Sequence, residues 1–324
     1  MKNKIEILCT LGPSSLNKDF LKFVNKKVDL LRINLSHIEI KDLKKIIHYI
    51  KKFTKTPICV DTEGAQIRTK MNSSKVFKKN QIFKIYKKNK SISLYPEEIF
   101  SKLKKNDILN IGFENLKAKI IFKNSKFISL KTISSGPFEN NKGVHIENRH
   151  VMLNYLTKKD IQAIEISKKL KINNFALSFT NSESDIKKFN KLLPKKNKIF
   201  KIESKKAINS IKKIIKIGNN FLIDRGDLSK EVSIEKIPYM QRKIINIAKN
   251  FKFKKVYIAT NFLESMILNS YPTRGEANDI YSSLEIGAKG LVLAAETAIG
   301  KHPKKTIIFL KKMIKIFKNH KFKI

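Results

Sequence analysis

The chain has 324 residues, 41% of them hydrophobic, enough for one large barrel or two ordinary domains with a filled core. It lacks the ~18 consecutive apolar residues of a membrane helix, has no signal-peptide run after Met1-Lys-Asn-Lys-Ile-Glu6, and keeps Cys9 and Cys59 in apolar runs without metal-like spacing; a soluble, cytoplasmic protein with reduced core thiols is expected, and a cysteine nucleophile is not. The net charge of +42 raises nucleic acid as a partner, but only six of the 69 basic residues are arginine, and lysine runs through the whole chain beside abundant Ile and Asn, which an A/T-rich codon supply explains without a polyanion.

Apolar runs at Ile5–Leu11, Val28–Ile33 and Pro57–Thr62 read as strands, with an amphipathic helix at Lys41–Lys52. From Met71 to Tyr155 the pattern changes to period two, in Ile82–Tyr86, Ala118–Phe122 and Phe127–Leu130, with Gly136-Pro137 as a turn. Residues 71–156 are therefore expected to form a small all-β insertion, a lid hung on the barrel of residues 1–70 and 157–324. Five further strands follow at Asn174–Phe179, Lys198–Glu203, Asn220–Arg225, Val256–Thr260 and Lys289–Ala294. Helices are expected at Lys158–Leu170, Glu183–Leu193, Lys205–Ile217, Tyr239–Asn250, Asp279–Gly287 and Lys304–Phe317. Eight strands alternating with helices predict an α/β fold, the (β/α)₈ TIM barrel, with its chemistry at the carboxyl ends of the strands.

Those ends carry charge. Side chains alternate along a strand, so Lys201 and Glu203 point the same way with Ile202 opposite, and the next strand delivers Asp227 just past its end. Two carboxylates with a lysine between them suit Mg²⁺ holding an anionic substrate; the same pair alone also reads as a surface strand with a salt bridge.

The other ends are Thr10-Leu-Gly-Pro-Ser-Ser15, Arg32-Ile-Asn-Leu-Ser-His37, Asp61-Thr-Glu-Gly-Ala-Gln-Ile-Arg-Thr69, Ala259-Thr-Asn-Phe-Leu-Glu-Ser-Met266 and Ala295-Glu-Thr-Ala-Ile-Gly300. Together with Lys-Ile-Glu203, Arg225-Gly-Asp-Leu228 and Tyr271-Pro-Thr-Arg-Gly-Glu276, they resemble the pyruvate kinase family along nearly the whole chain. The resemblance implies a phosphotransferase that moves the phosphoryl group of phosphoenolpyruvate to ADP in glycolysis. Lys201 and Arg32 match the residues that neutralise and grip that group, and Thr260 the residue near the enolate carbon, working through water. Glu203 and Asp227 match the Mg²⁺ ligands, and the amides of Gly226 and Asp227 would hold the substrate carboxylate. Asn34, Ser36, Asp61 and Thr62 match the K⁺ site, while Arg68, His37 and Lys142 of Asn141-Lys-Gly-Val144 would meet the ADP phosphates. Taken singly, His37 reads equally as a structural histidine, whereas Thr260 reads more readily as a core hydroxyl than as a catalyst.

The chain departs from the family pattern in places. Gln66 stands where the family has an acid or a lysine, the choice linked to K⁺ dependence, and Glu63 and Ala65 replace a lysine and a proline. Asp224 and Ser229 replace small residues around Arg-Gly-Asp-Leu, Asn261 a glutamine, and Ala294-Ala295 a Ser-Gly pair. The sequence stops near Ile324, so a member without the effector domain is expected, hyperbolic in phosphoenolpyruvate, unresponsive to fructose bisphosphate and at most a homodimer through exposed Ile308, Leu310 and Ile314. Two other readings stay open: a phosphoenolpyruvate or pyruvate barrel with a different acceptor, and a non-catalytic metabolite-binding homologue.

Overall fold

The computed structural model describes residues 4–88, 91–112, 116–147, 149, 151 and 153–320. They divide into two compact units, Met1–Glu63 with Lys158–Ile324, and Gly64–Thr157.

The first unit is a closed barrel of eight parallel strands: β1 (Glu6–Thr10), β2 (Leu30–Asn34), β3 (Ile58–Asp61), β4 (Asn174–Leu177), β5 (Asn197–Ile202), β6 (Asn220–Asp224), β7 (Lys255–Ala259) and β8 (Gly290–Leu293). Neighbours in the barrel are neighbours in the sequence, and β8 closes on β1 with Glu6 opposite Gly290. The longer helices are α1 (Lys18–Val24), α2 (Ile40–Phe53), α3 (Lys158–Lys169), α4 (Glu183–Leu192), α5 (Ile211–Ile217), α6 (Ile237–Lys249), α7 (Arg274–Glu285) and α8 (Pro303–His320). The strands are near-continuous apolar runs because both faces are covered: one by helices, the other by the barrel's own interior.

That interior is a layer of Leu8, Cys59, Ala176, Ile199, Leu222, Tyr257, Ala259 and Val292, with Leu30 against it. Tyr257 explains the glycine that starts β8, since a Cβ on Gly290 would lie 2.4 Å from Tyr257 Cδ1. Its hydroxyl donates to Glu6 Oε2 at 2.7 Å, so the ring fills the space while its polar tip stays paired. Burial pushes the Cys9 thiol up to about 12 and raises that of Cys59 further, which keeps both protonated and unreactive.

The sequence places several elements imperfectly. α1 escapes the apolar pattern because it is short, although Asn17 announces it by accepting from Phe20 N at 3.0 Å. α7 begins at Arg274 rather than Asp279, set by Thr273 and Glu276, which cap each other as N-cap and third residue. The stretch expected as one helix over Lys205–Ile217 is two, a short helix Lys205–Asn209 and then α5, divided at Ser210. Of the three residues expected to be exposed on α8, Leu310 and Ile314 are buried and Ile308 is exposed. Positions two apart on a helix are ~200° apart, so Leu310 shares a face with Ile307 and Phe317 while Ile308 faces away, and the exposed apolar trio expected from sequence is not formed.

The inserted unit is a second closed barrel, of seven strands, in the order Phe127–Thr132, Ile82–Tyr86, Ile92–Tyr95, Ile67–Met71, Gly143–Ile146, Ile108–Ile111 and Leu116–Lys123. Its core, including Ile85, Leu109, Ile120, Ile128 and Leu130, is apolar. Gly136-Pro137, expected as a turn, instead begins the strand Gly136–Phe138, which pairs with Lys75–Phe77. Burial of Phe138 edge-on to Phe77 and Phe83 outweighs the local turn preference, and a two-stranded ribbon tolerates the proline. Among the described residues no helix is long and apolar enough to cross a membrane.

Candidate active site

Period-two alternation carries the inward parity of the apolar layer two residues further along the strands, and on β1 to β6 the chemistry changes there at once. Leu8 is followed by Thr10, Leu30 by Arg32, Cys59 by Asp61, Ala176 by Ser178, Ile199 by Lys201 and Leu222 by Asp224. These six side chains form a chain of contacts across β1 to β6. Arg32 Nη1 donates to Thr10 Oγ1 at 3.0 Å, and its Nε and Nη2 both reach Asp61 Oδ2 at 2.6 Å. Ser178 Oγ donates to Asp61 Oδ1 at 3.2 Å and lies 3.1 Å from Lys201 Nζ. Lys201 Nζ also stands 3.3 Å from Asp61, 3.5 Å from Asp224 and 2.8 Å from Glu203 Oε1.

The last contact is an ion pair whose direction misses that of a hydrogen bond, since Glu203 Oε1 is buried and accepts none. The other oxygen, Oε2, accepts from Phe179 N at 2.6 Å. Burial, resisted by Lys201 and reinforced by Asp224 and Asp227, pushes the Glu203 carboxyl up to about 8. Burial pulls the Lys201 ammonium down, but Asp61 and Glu203 prevail and hold it above its usual range. Lys201 is therefore a permanent cation, suited to steadying negative charge and unsuited to acting as a base.

Beyond β6 the chain turns into a single helical turn, Arg225–Leu228. Gly226 N donates to Thr260 Oγ1 at 2.8 Å, and that hydroxyl donates to Ala259 O at 2.6 Å. Thr260 and Asn261 are both left-handed, with φ of 73° and 58°. Arg225 holds this bend from outside: Nε donates to Thr260 O at 3.1 Å, Nη1 grips Asp279 at 2.7 and 2.9 Å, and the guanidinium lies 4.4 Å from the Phe262 ring centroid. Glu296, buried after β8, accepts from Phe262 N, Leu263 N and Ala294 N, tying the loop after β7 to the end of β8.

Of the residues singled out in the sequence, the barrel unit brings together Arg32, Asp61, Lys201 and Glu203, with Thr260 against Gly226 and the Asp227 carboxylate near that of Glu203. Glu203, Asp224 and Asp227 each offer an oxygen within 4.8 Å of the others, an all-oxygen set that fits a hard divalent cation. Asp227 Oδ1 also pairs with Lys230 at 2.5 Å. Asn34 and Asp61 are register partners on β2 and β3, with Ser36 and Thr62 shortly after, so oxygen donors of the kind K⁺ takes are adjacent in the barrel. His37 is exposed in the turn after β2. Arg68 lies on a strand of the inserted unit opposite Gly143, donates to Asn141 O at 3.4 Å, and is thus beside Lys142, which pairs with Glu139 at 2.9 Å.

Sequence reasoning left Ser178 without a role and Thr10 only inside a motif. Their hydroxyls connect the charged groups, and the one available signal was parity, each lying two residues beyond an apolar interior position.

A family model described as pyruvate kinase, barrel domain, matches residues 2–307. A pyruvate kinase of Thermotoga maritima is 31% identical over 96% of this chain and 70% of its own length. One of Methanocaldococcus jannaschii is 30% identical over 99% of this chain and 71% of its own, and one of Corynebacterium glutamicum is 27% identical over 97% and 70%.

Proposed function

The chain belongs to the pyruvate kinase family, and from that premise we propose that it transfers the phosphoryl group of phosphoenolpyruvate to ADP, giving pyruvate and ATP, as a cytoplasmic glycolytic enzyme. The observation that carries the reading is the pairing of Arg32 and Lys201 in one buried layer, each held by Asp61. Phosphoryl transfer leaves charge on peripheral oxygens, so catalysis is chiefly preorganised positive charge. Asp61 fixes both cations before substrate arrives, and Ser178 and Thr10 fix their directions. Arg32 would grip the phosphoryl oxygens and Lys201 would neutralise charge as the group moves.

Glu203 and Asp227 would hold Mg²⁺, whose charge would further stabilise those oxygens, and Asn34, Ser36, Asp61 and Thr62 would hold K⁺. The substrate carboxylate would take the amides of Gly226 and Asp227, replacing the Thr260 hydroxyl as acceptor of Gly226 N. Released in this way, Thr260 Oγ1 would stand beside the enolate and pass a proton to it through water. Arg68, His37 and Lys142 are the cations proposed for the ADP phosphates.

The test is pyruvate release from phosphoenolpyruvate by the purified chain, coupled to lactate dehydrogenase, with ADP, Mg²⁺ and K⁺ each omitted in turn. Turnover that requires ADP and Mg²⁺ supports the proposal. Failure to release pyruvate with all four present would overturn it.

A further inference from the structure

We infer that Asp224 is a third carboxylate ligand for the divalent cation, so that the chain can hold the cation through three protein carboxylates before substrate is present. The inference rests on the reading of Glu203 and Asp227 as the metal pair and extends it to a residue that motif reasoning set aside as a departure.

Geometry supplies the first argument. Asp224 closes β6 with the inward parity of Lys201 and Glu203, Asp227 follows one helical turn later, and the three acids each place an oxygen within 4.8 Å of the others. The second argument is what Asp224 does not do. It stands at the N-cap of Arg225–Leu228, where an aspartate ordinarily accepts from a backbone amide, yet makes no side-chain cap there. It is 5% exposed, and the only ion pair it makes among the described residues is the long one to Lys201 at 3.5 Å. Glu203 Oε1, 2.8 Å from Lys201 on the same face, is likewise buried and accepts no hydrogen bond. Two buried carboxylates that share Lys201 as their ion-pair partner among the described residues thus converge beside a third.

Ligand chemistry supplies the last argument. Three carboxylate oxygens and no nitrogen or sulfur select a hard ion such as Mg²⁺ or Mn²⁺.

The test is titration of the full chain with Mn²⁺ alone, without substrate or nucleotide, following free Mn²⁺ by electron paramagnetic resonance. The parent, Asp224→Ala, Asp224→Asn and Glu203→Gln are compared, with near-ultraviolet circular dichroism to verify folding; Asp224→Asn preserves side-chain shape if alanine does not fold. The parent is expected to bind one Mn²⁺ per chain, and both Asp224 variants to bind at least about tenfold more weakly. If Asp224 only pairs with Lys201, its variants will bind within about twofold of the parent while Glu203→Gln weakens binding, which overturns this inference and leaves the metal pair standing. A parent that binds no Mn²⁺, or a Glu203→Gln that binds as the parent does, overturns the pair and Asp224 with it.

Discussion

The barrel interior contains two adjacent layers built by the same strands with the same inward parity. In the lower one Leu8, Cys59, Ala176, Ile199, Leu222, Tyr257 and Val292 exclude water; two residues on, Thr10, Arg32, Asp61, Ser178, Lys201 and Asp224 concentrate charge. A step of two residues advances the chain ~6.6 Å, and that distance separates the part that holds the protein together from the part proposed to do its work. The apolar layer gains by removing surface from water. The charged layer must instead satisfy each group with a partner, and gains specific placement more than stability.

The comparison breaks most visibly at Asp61, which serves both cations. Asp61→Ala should destabilise the chain by about 3–5 kcal/mol, because Arg32 and Lys201 would be left buried without their shared partner. Urea unfolding measures this, and a loss under about 1 kcal/mol would mean that solvent already compensates the pair. Lys201→Met tests the other half: the fold should persist while turnover falls by roughly 10²–10³, as for removal of one preorganised charge-stabilising donor. Turnover equal to the parent's would take Lys201 out of the mechanism.

Ile199→Val, in the layer below, should invert that pattern. It is expected to lower stability by about 0.5–1.5 kcal/mol with turnover unchanged, and a large drop in turnover would show that the two layers are mechanically coupled.

The smallest effect lies outside both layers, at the start of α7. There Glu276 accepts from Ser265 and Thr273, and although partial burial opposes it, these hydrogen bonds hold its carboxyl below the reference value of 4.5. The folded value is the lower one, so the stabilisation is full above pH 4.5 and lost as pH falls through the folded value. Glu276→Gln should therefore melt below the parent at pH 7, by less than about 1 kcal/mol, and the two should converge in acid. A gap that widens in acid would have the wrong sign for this account.

What could be read beforehand follows the same division. Burial on both faces makes a strand a continuous apolar run, so all eight barrel strands were legible, and charged motifs at their ends gave Arg32, Lys201, Glu203 and Asp227. Hydroxyls were not: Thr10 and Ser178 have no distinctive spacing, and their importance arises only when neighbouring strands bring a charge beside them. Asp224 was visible as an odd residue, but its convergence with Glu203 depends on β5 and β6 lying side by side, which composition does not express. Gly136-Pro137 and Leu310 failed for a different reason: local preference, or mere hydrophobicity, was read without the packing direction that decides the outcome.

The bend at Thr260 has a consequence for anyone who would breed this protein. A β-branched residue held at a φ of 73° costs about 1–3 kcal/mol, and the bonds from Arg225 and Gly226 keep it there. Selection for heat tolerance alone would reward relaxing that corner, most gently with glycine at 261, and more drastically with glycine at 260, which also removes the hydroxyl from Gly226 N. With Thr260 in the role proposed for it, durability and turnover would pull one stretch of backbone in opposite directions, and descendants chosen by melting temperature would drift toward proteins that survive the oven and idle in the assay.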